Sequence, residues 1–243
     1  MAGRHFQEND LGSFSGPKDD PESPFYRAEG MTPDETWDAI REGMVQFIAS
    51  LDDQLAGRPV STSLLVEAHK HLFGELFPAD AGRFRGRCGD PSDYGGGWED
   101  GPFGIAESGD PAAKVRSFRG THPPKIKEKL DVEFARFDKD ASEIAAEAAA
   151  ANAPALRDST LIAGRLYARI LRIHPFVDGN LRAAFVVLGA SLRQLDLEVI
   201  EFGDQQEEHD RALLAAFEGK NEPYEPMAAL IERQIRGQTR QNS

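Results

Sequence analysis

Apolar residues recur at spacings of three and four along most of the chain, starting just after Thr32. Trp37, Ile40, Met44, Phe47, Ile48 and Leu51 fall on one helical face, behind a Thr-Pro-Asp-Glu start with a capping residue, a first-turn proline and early acids. A second helix is expected from a Ser61 or Thr62 cap, carrying Leu64, Leu65, Ala68, Leu72, Phe73 and Leu76 inward until Pro78. The period is then lost. From Gly86 to Pro123 glycine, proline and aspartate crowd the sequence, which reads as a functional loop holding a short β-hairpin near Val115 to His122.

Helical spacing resumes at Pro124, with Ile126, Leu130, Phe134 and Phe137, and runs on through the Ala-rich stretch from Ile144 to Ala151. An Asp158-Ser159-Thr160 cap predicts the next helix, with Leu161, Leu166, Tyr167, Ile170 and Leu171 inward and a stop near His174-Pro175. Leu181 to Leu192 is apolar enough for a helix buried on most sides. Two amphipathic helices, Asp204 to Phe217 and Glu225 to Ile235, complete the chain, and a short strand is possible at Glu198 to Phe202. The expected class is mainly α, as one domain over residues 32–243 with the loop and hairpin within 86–127. Residues 1–31, rich in Gly, Pro, Ser and Asp, are expected to form a flexible arm.

Charge narrows the choice of partners. The chain has 28 Lys and Arg against 41 Asp and Glu, a formal charge of −13, which repels a nucleic-acid backbone. The single cysteine, Cys88, makes no intramolecular disulfide, no zinc spacing appears, and no run spans a bilayer. The expectation is a cytoplasmic protein without nucleic-acid or membrane partners.

The chemistry concentrates between two predicted helices, in His174-Pro175-Phe176-Val177-Asp178-Gly179-Asn180-Leu181-Arg182. A bend ending at a helix N-terminus gathers backbone N–H groups at the positive end of the helix dipole, an anion site. Gly179 admits a close approach of the main chain, Asn180 and Arg182 offer donors to phosphate oxygens, and Asp178 can hold Mg²⁺. His174 has the right ordinary pKa for a general base. Plain helix capping by Asp178 and Asn180 uses the same amides and stays open, as does an ordinary ion-pair role for Arg182. Arg83 and Arg85 suit either ion pairs with the acidic excess or a structural or nucleotide-proximal role. His69, His71, His122 and His209 read as ordinary.

This segment resembles the signature HxFx(D/E)GNGRxxR of the Fic/Doc family, met at His174, Phe176, Asp178, Gly179, Asn180 and Arg182. The stretch from His69 to Arg85 is similar to the family's helix and following Ala-Gly-x-Phe/Tyr-Arg element, and that from Arg211 to Ile235 to its closing helices. The resemblance implies a helical Fic fold with Phe176 in the core and a β-hairpin flap, within Val115 to Lys127, that pairs with a target segment. It also implies transfer of AMP from ATP, with Mg²⁺, to a Ser, Thr or Tyr hydroxyl of a target protein, with His174 as base. Two signature positions differ: the second glycine is Leu181 and the closing arginine is Phe185. Doc-like phosphotransfer, another nucleotide donor and a non-catalytic binding module therefore remain alternatives.

Many members carry an inhibitory (S/T)xxxE(G/N) helix. Here Glu8-Asn9, Glu29-Gly30, Glu42-Gly43 and Glu218-Gly219 are preceded four residues earlier by Arg4, Phe25, Asp38 and Leu214. None is Ser or Thr, so a separate inhibitor protein is an option for control.

Overall fold

The computed structural model describes residues 28–56, 58–85, 102–106, 115–151, 155–200, 205–219 and 223–241. The first helix, α1 (Pro33–Ala49), begins as its sequence dictates. Glu35 N donates to Thr32 Oγ1, and the Glu35 carboxylate accepts from Thr32 N at 2.7 Å, which closes a capping box. Ser50 interrupts the helix, its hydroxyl donating to Phe47 O, and the short α2 (Leu51–Leu55) follows. In α3 (Thr62–Phe73), the Ser61 side chain accepts from Leu64 N. The helix stops at Gly74, before Pro78.

Pro123–Lys125 forms a single 3₁₀ turn that runs into α4 (Ile126–Ala151), one continuous helix across both stretches expected to be helical. Helix α5 (Leu156–Ile173) corrects an expectation: it starts at Leu156, Ala155 gives no side-chain cap, and Ser159 and Thr160 lie buried inside its first turns. The Thr160 hydroxyl donates back to Arg157 O instead. Leu161 is only partly buried, and Ile162 and Ala163 take the inward places. The chain continues as α6 (Asn180–Gln194), α7 (Gln206–Glu218) and α8 (Glu225–Gln241). Residues 198–200 are not strand, and the rest of that expected strand lies outside the described residues. Most of the expected N-terminal arm, residues 1–27, lies outside them too, whereas Ala28 is buried and donates from its N to Thr36 Oγ1.

The hairpin is also displaced from its expected place. β1 (Pro102–Ala106) pairs antiparallel with β2 (Val115–Arg119), Pro102 opposite Arg119 and Ala106 opposite Val115. The segment expected to hold both strands thus supplies only the second. Past Arg119, prolines at 123 and 124 cannot donate to a ladder and turn the chain into α4.

The core is built around α5 and α6. α5 packs against α4, α6 and α8, and α3 packs against α6. Every residue of α6 from Asn180 to Leu192 is buried, the polar Asn180, Arg182 and Ser191 included. Among the described residues no helix is long and apolar enough to cross a membrane.

Candidate active site at the α5–α6 turn

The two central helices are joined by the six residues from His174 to Gly179, and the sequence fixes how they bend. Helix α5 ends because His174 takes a left-handed conformation (φ 53°, ψ 63°), while its N still donates to Ile170 O at 3.0 Å. Pro175 follows and cannot extend the helix. Phe176 is fully buried and stacks on the His69 ring, centroids 3.8 Å apart. Asn180 then closes the bend on itself: its Oδ1 accepts from Phe176 N at 2.8 Å and its Nδ2 donates to Phe176 O at 3.0 Å.

That pair of bonds settles which way the amide points, since a flipped side chain would set NH₂ against N–H. Its Nδ2 also lies 3.2 Å from His174 Nε2, so Nε2 accepts and the imidazole proton resides on Nδ1. Burial, and then the positive charge of Arg85, push the His174 pKa down to about 3. The imidazole is neutral at physiological pH, with its Nε2 lone pair aimed at the residue that opens α6.

Gly179 is required twice over. Its φ is +71°, and a Cβ there would overlap the edge of the Phe73 ring, with Cζ at 2.5 Å. The Asp178 carboxylate is buried and accepts from Gly179 N at 2.5 Å. No side chain caps α6, and helix geometry gives the N–H groups of Asn180 and Leu181 no carbonyl four residues back. Arg182 sits beneath the turn. It is 3% exposed, and its guanidinium carbon lies 3.9 Å from the Trp37 ring centroid, so its charge acts from the interior and is felt at His69. Leu181 and Phe185 both belong to the hydrophobic core.

Asp178 is the one acidic side chain of the turn, and among the described residues no three His, Cys, Asp or Glu gather as a metal cage. That donor set fits a cation completed by phosphate and water oxygens, the usual habit of Mg²⁺.

Distant residues that sequence reasoning treated as ordinary or left open hold the turn in place. His69 on α3 accepts from Gly82 N at Nδ1 (2.9 Å), which puts its proton on Nε2, 3.0 Å from Asp178 O. Burial above all pushes its pKa down to about 4. A visible signal was its place on the apolar face of α3, with Leu65, Ala68, Leu72 and Phe73. Arg85, 4% exposed, donates to the main-chain carbonyls of His174, Thr121 and Ile173. The hairpin is anchored beside it. Thr121 N donates to Ile173 O, Arg172 donates to Arg119 O, and the Arg172 guanidinium lies against the rings of both Phe118 and Phe217, which meet edge to face.

No curated protein matches this chain in sequence. Several solved structures share its fold. A Fic-domain-containing signaling protein from Bacteroides thetaiotaomicron VPI-5482 superposes with a TM-score of 0.56 at 16% identity, over 85% of this chain and 70% of that one. Fic-1 (residues 134–508) from C. elegans gives 0.58 at 18%, over 88% and 55%. The N-terminal Fic domain of an effector protein from Bartonella sp. AR 15-3 gives 0.57 at 18%, over 97% and 95%. The chain thus spans about half the length of that C. elegans fragment. The Fic/DOC family model matches residues 59–192, which run from α3 through most of α6 and hold the whole turn. This chain belongs to the Fic/DOC family, whose members are typically transferases.

Proposed function

We propose that this protein transfers AMP from ATP to a Ser, Thr or Tyr hydroxyl of a target protein. The observation that carries the reading is the neutral His174, whose Nε2 lone pair lies 3.2 Å from the side chain opening α6. The target hydroxyl oxygen forms a bond to the α-phosphorus, the bond from that phosphorus to the bridging oxygen breaks, and pyrophosphate leaves. His174 Nε2 takes the hydroxyl proton after Asn180 Nδ2 yields its place, general-base help worth roughly 10²–10⁴-fold.

In this reading the first-turn N–H groups of Asn180 and Leu181, with the helix dipole, hold phosphate oxygens at the N-terminus of α6. Arg182 adds positive potential from below, in an interior where charge is weakly screened. Asp178 would hold Mg²⁺, which when bound would offset the negative charge of the phosphates. A segment of the target would pair with the edge of the β1–β2 hairpin, and its hydroxyl would reach His174 from that side.

A second reading has specific support. Leu181 and Phe185 stand in the core where the family signature has glycine and arginine, so the terminal phosphates lose one guanidinium. Transfer of the terminal phosphate, with ADP leaving, or nucleotide binding without transfer would follow if the triphosphate sits reversed or does not react. Incubation with candidate targets and ATP labelled at the α or the γ phosphate separates the three. Label retained from α supports AMP transfer, label from γ supports phosphotransfer, and label from neither supports a binding module. Transfer that persists in His174→Ala would remove His174 as the base.

A further inference from the structure

We propose that Arg85 is a positioning residue that fixes the register between the β-hairpin and His174, so that whatever the hairpin holds is presented to the base in one geometry. Three segments far apart in sequence meet on this one guanidinium. Its Nε donates to His174 O at 2.5 Å, and its terminal nitrogen donates to Thr121 O and to Ile173 O, the last at 3.4 Å. The main chain closes the knot: Arg85 N donates to Pro175 O at 2.9 Å and Thr121 N to Ile173 O at 3.0 Å.

The acceptors explain why an arginine suits this place. The last carbonyls of α5 have no partners within their helix and stand at its negative end, so a planar cation with several donors satisfies them and the dipole together. A buried guanidinium, in turn, needs such acceptors to offset its lost hydration. Lysine has the charge but not the fork.

Gly120, the first residue after β2, shows how closely the hairpin is bound to this arrangement. A Cβ at 120 would lie 3.1 Å from both Arg85 Cζ and His174 Cβ, and would overlap an Arg85 terminal nitrogen. The exit of the hairpin therefore passes between the clamp and the base with no room for a side chain. Movement of β2 must displace Arg85, His174 or both. The charge of Arg85 also favours a neutral imidazole.

The catalytic half of this proposal rests on His174 being the base. Its geometric half does not, and the test keeps the two apart. Full-length wild type, Arg85→Lys and Gly120→Ala would be compared by NMR, following amide exchange at Thr121 and the His174 side-chain nitrogens, with urea unfolding as the folding control. The expected result is Thr121 exchange at least about 10-fold faster and shifted His174 signals in both variants, whose global unfolding stays cooperative. If Arg85→Lys does not fold, Gly120→Ala perturbs the same junction by pushing the guanidinium aside. In the labelled-ATP assay, Arg85→Lys should lower kcat by roughly 10²-fold, with the KM for ATP changed less than about 2-fold. Unchanged Thr121 exchange and His174 signals in a folded variant would overturn the proposal. Loss of kcat and affinity for ATP together would also overturn it, by making Arg85 a nucleotide ligand. Wild type that transfers no label, with the NMR coupling intact, would overturn the proposed function and leave the clamp standing.

Discussion

His69 donates from Nε2 to the carbonyl oxygen of Asp178 at 3.0 Å, a bond between residues 109 apart that makes α3 a wall of the signature turn. The ring cannot serve as an ionised group there, because its Nδ1 already accepts from Gly82 N and burial holds its pKa at about 4. It acts as a rigid neutral donor stacked on Phe176. His69→Ala would remove the stack and leave a buried carbonyl without its donor, a loss of about 2–4 kcal/mol in stability. His69→Gln, which keeps an N–H donor but not the ring, should lose less. Urea unfolding measures both, and equal stability of all three proteins would mean that the turn stands without α3.

Gly179 tests the same wall from the other side. Alanine at 179 must adopt φ near +71° and pushes its methyl into Phe73, so Gly179→Ala should destabilise by more than about 1 kcal/mol from the backbone alone. Shortening the obstacle in Gly179→Ala/Phe73→Leu should recover part of the steric loss but none of the backbone strain. A double-mutant cycle in urea would show this as favourable coupling between the two sites. Strict additivity would mean that the ring moves aside freely.

These relationships mark where the sequence was legible. Helices with capping residues or long apolar periods, such as α1, α3 and α6, could be placed from local pattern because the local signal and the tertiary burial agree. The α5–α6 turn was legible because its residues are consecutive. Of the hairpin only the second strand was, since β1 is a Pro-Phe-Gly-Ile-Ala strand whose partner in the ladder lies beyond a separate stretch of chain. The start of α5 misled because Asp-Ser-Thr suits a cap and a first turn equally well. His69 and Arg85 were open for a different reason: their partners are backbone atoms, and a main-chain carbonyl leaves no mark in a side-chain pattern.

Asn180 ties the conformation of the turn to the state of the base. Asn180→Asp would keep an acceptor for Phe176 N but would set a carboxylate oxygen against Phe176 O and beside His174 Nε2. The nearby negative charge favours the imidazolium, so the His174 pKa should rise from about 3 toward or above its ordinary value. A ¹⁵N titration of the imidazole would report Nε2 as protonated near pH 6 in the variant and unprotonated in wild type. A neutral Nε2 in both proteins at that pH would place the Asn180 side chain elsewhere in solution.

The two depressed imidazoles also fix the sign of the protein's pH dependence. His69 and His174 are held at about 4 and about 3 when folded, against 6.5 when unperturbed. As pH falls below about 6.5, the unfolded chain takes up protons at both positions while the native one does not, so the unfolded state gains. Stability should therefore be full above that pH and decline toward pH 4, by up to about 1.4 kcal/mol per pH unit for each imidazole. Unfolding midpoints in urea between pH 7 and pH 5 would show this fall. His69→Phe, which keeps a ring beside Phe176 but cannot bind a proton, should remove one of the two contributions and make the decline shallower even if its absolute stability is lower. A profile flat from pH 7 to pH 5 in the wild type would mean that both rings are solvated, and the neutral base that the proposed chemistry requires would lose its physical cause.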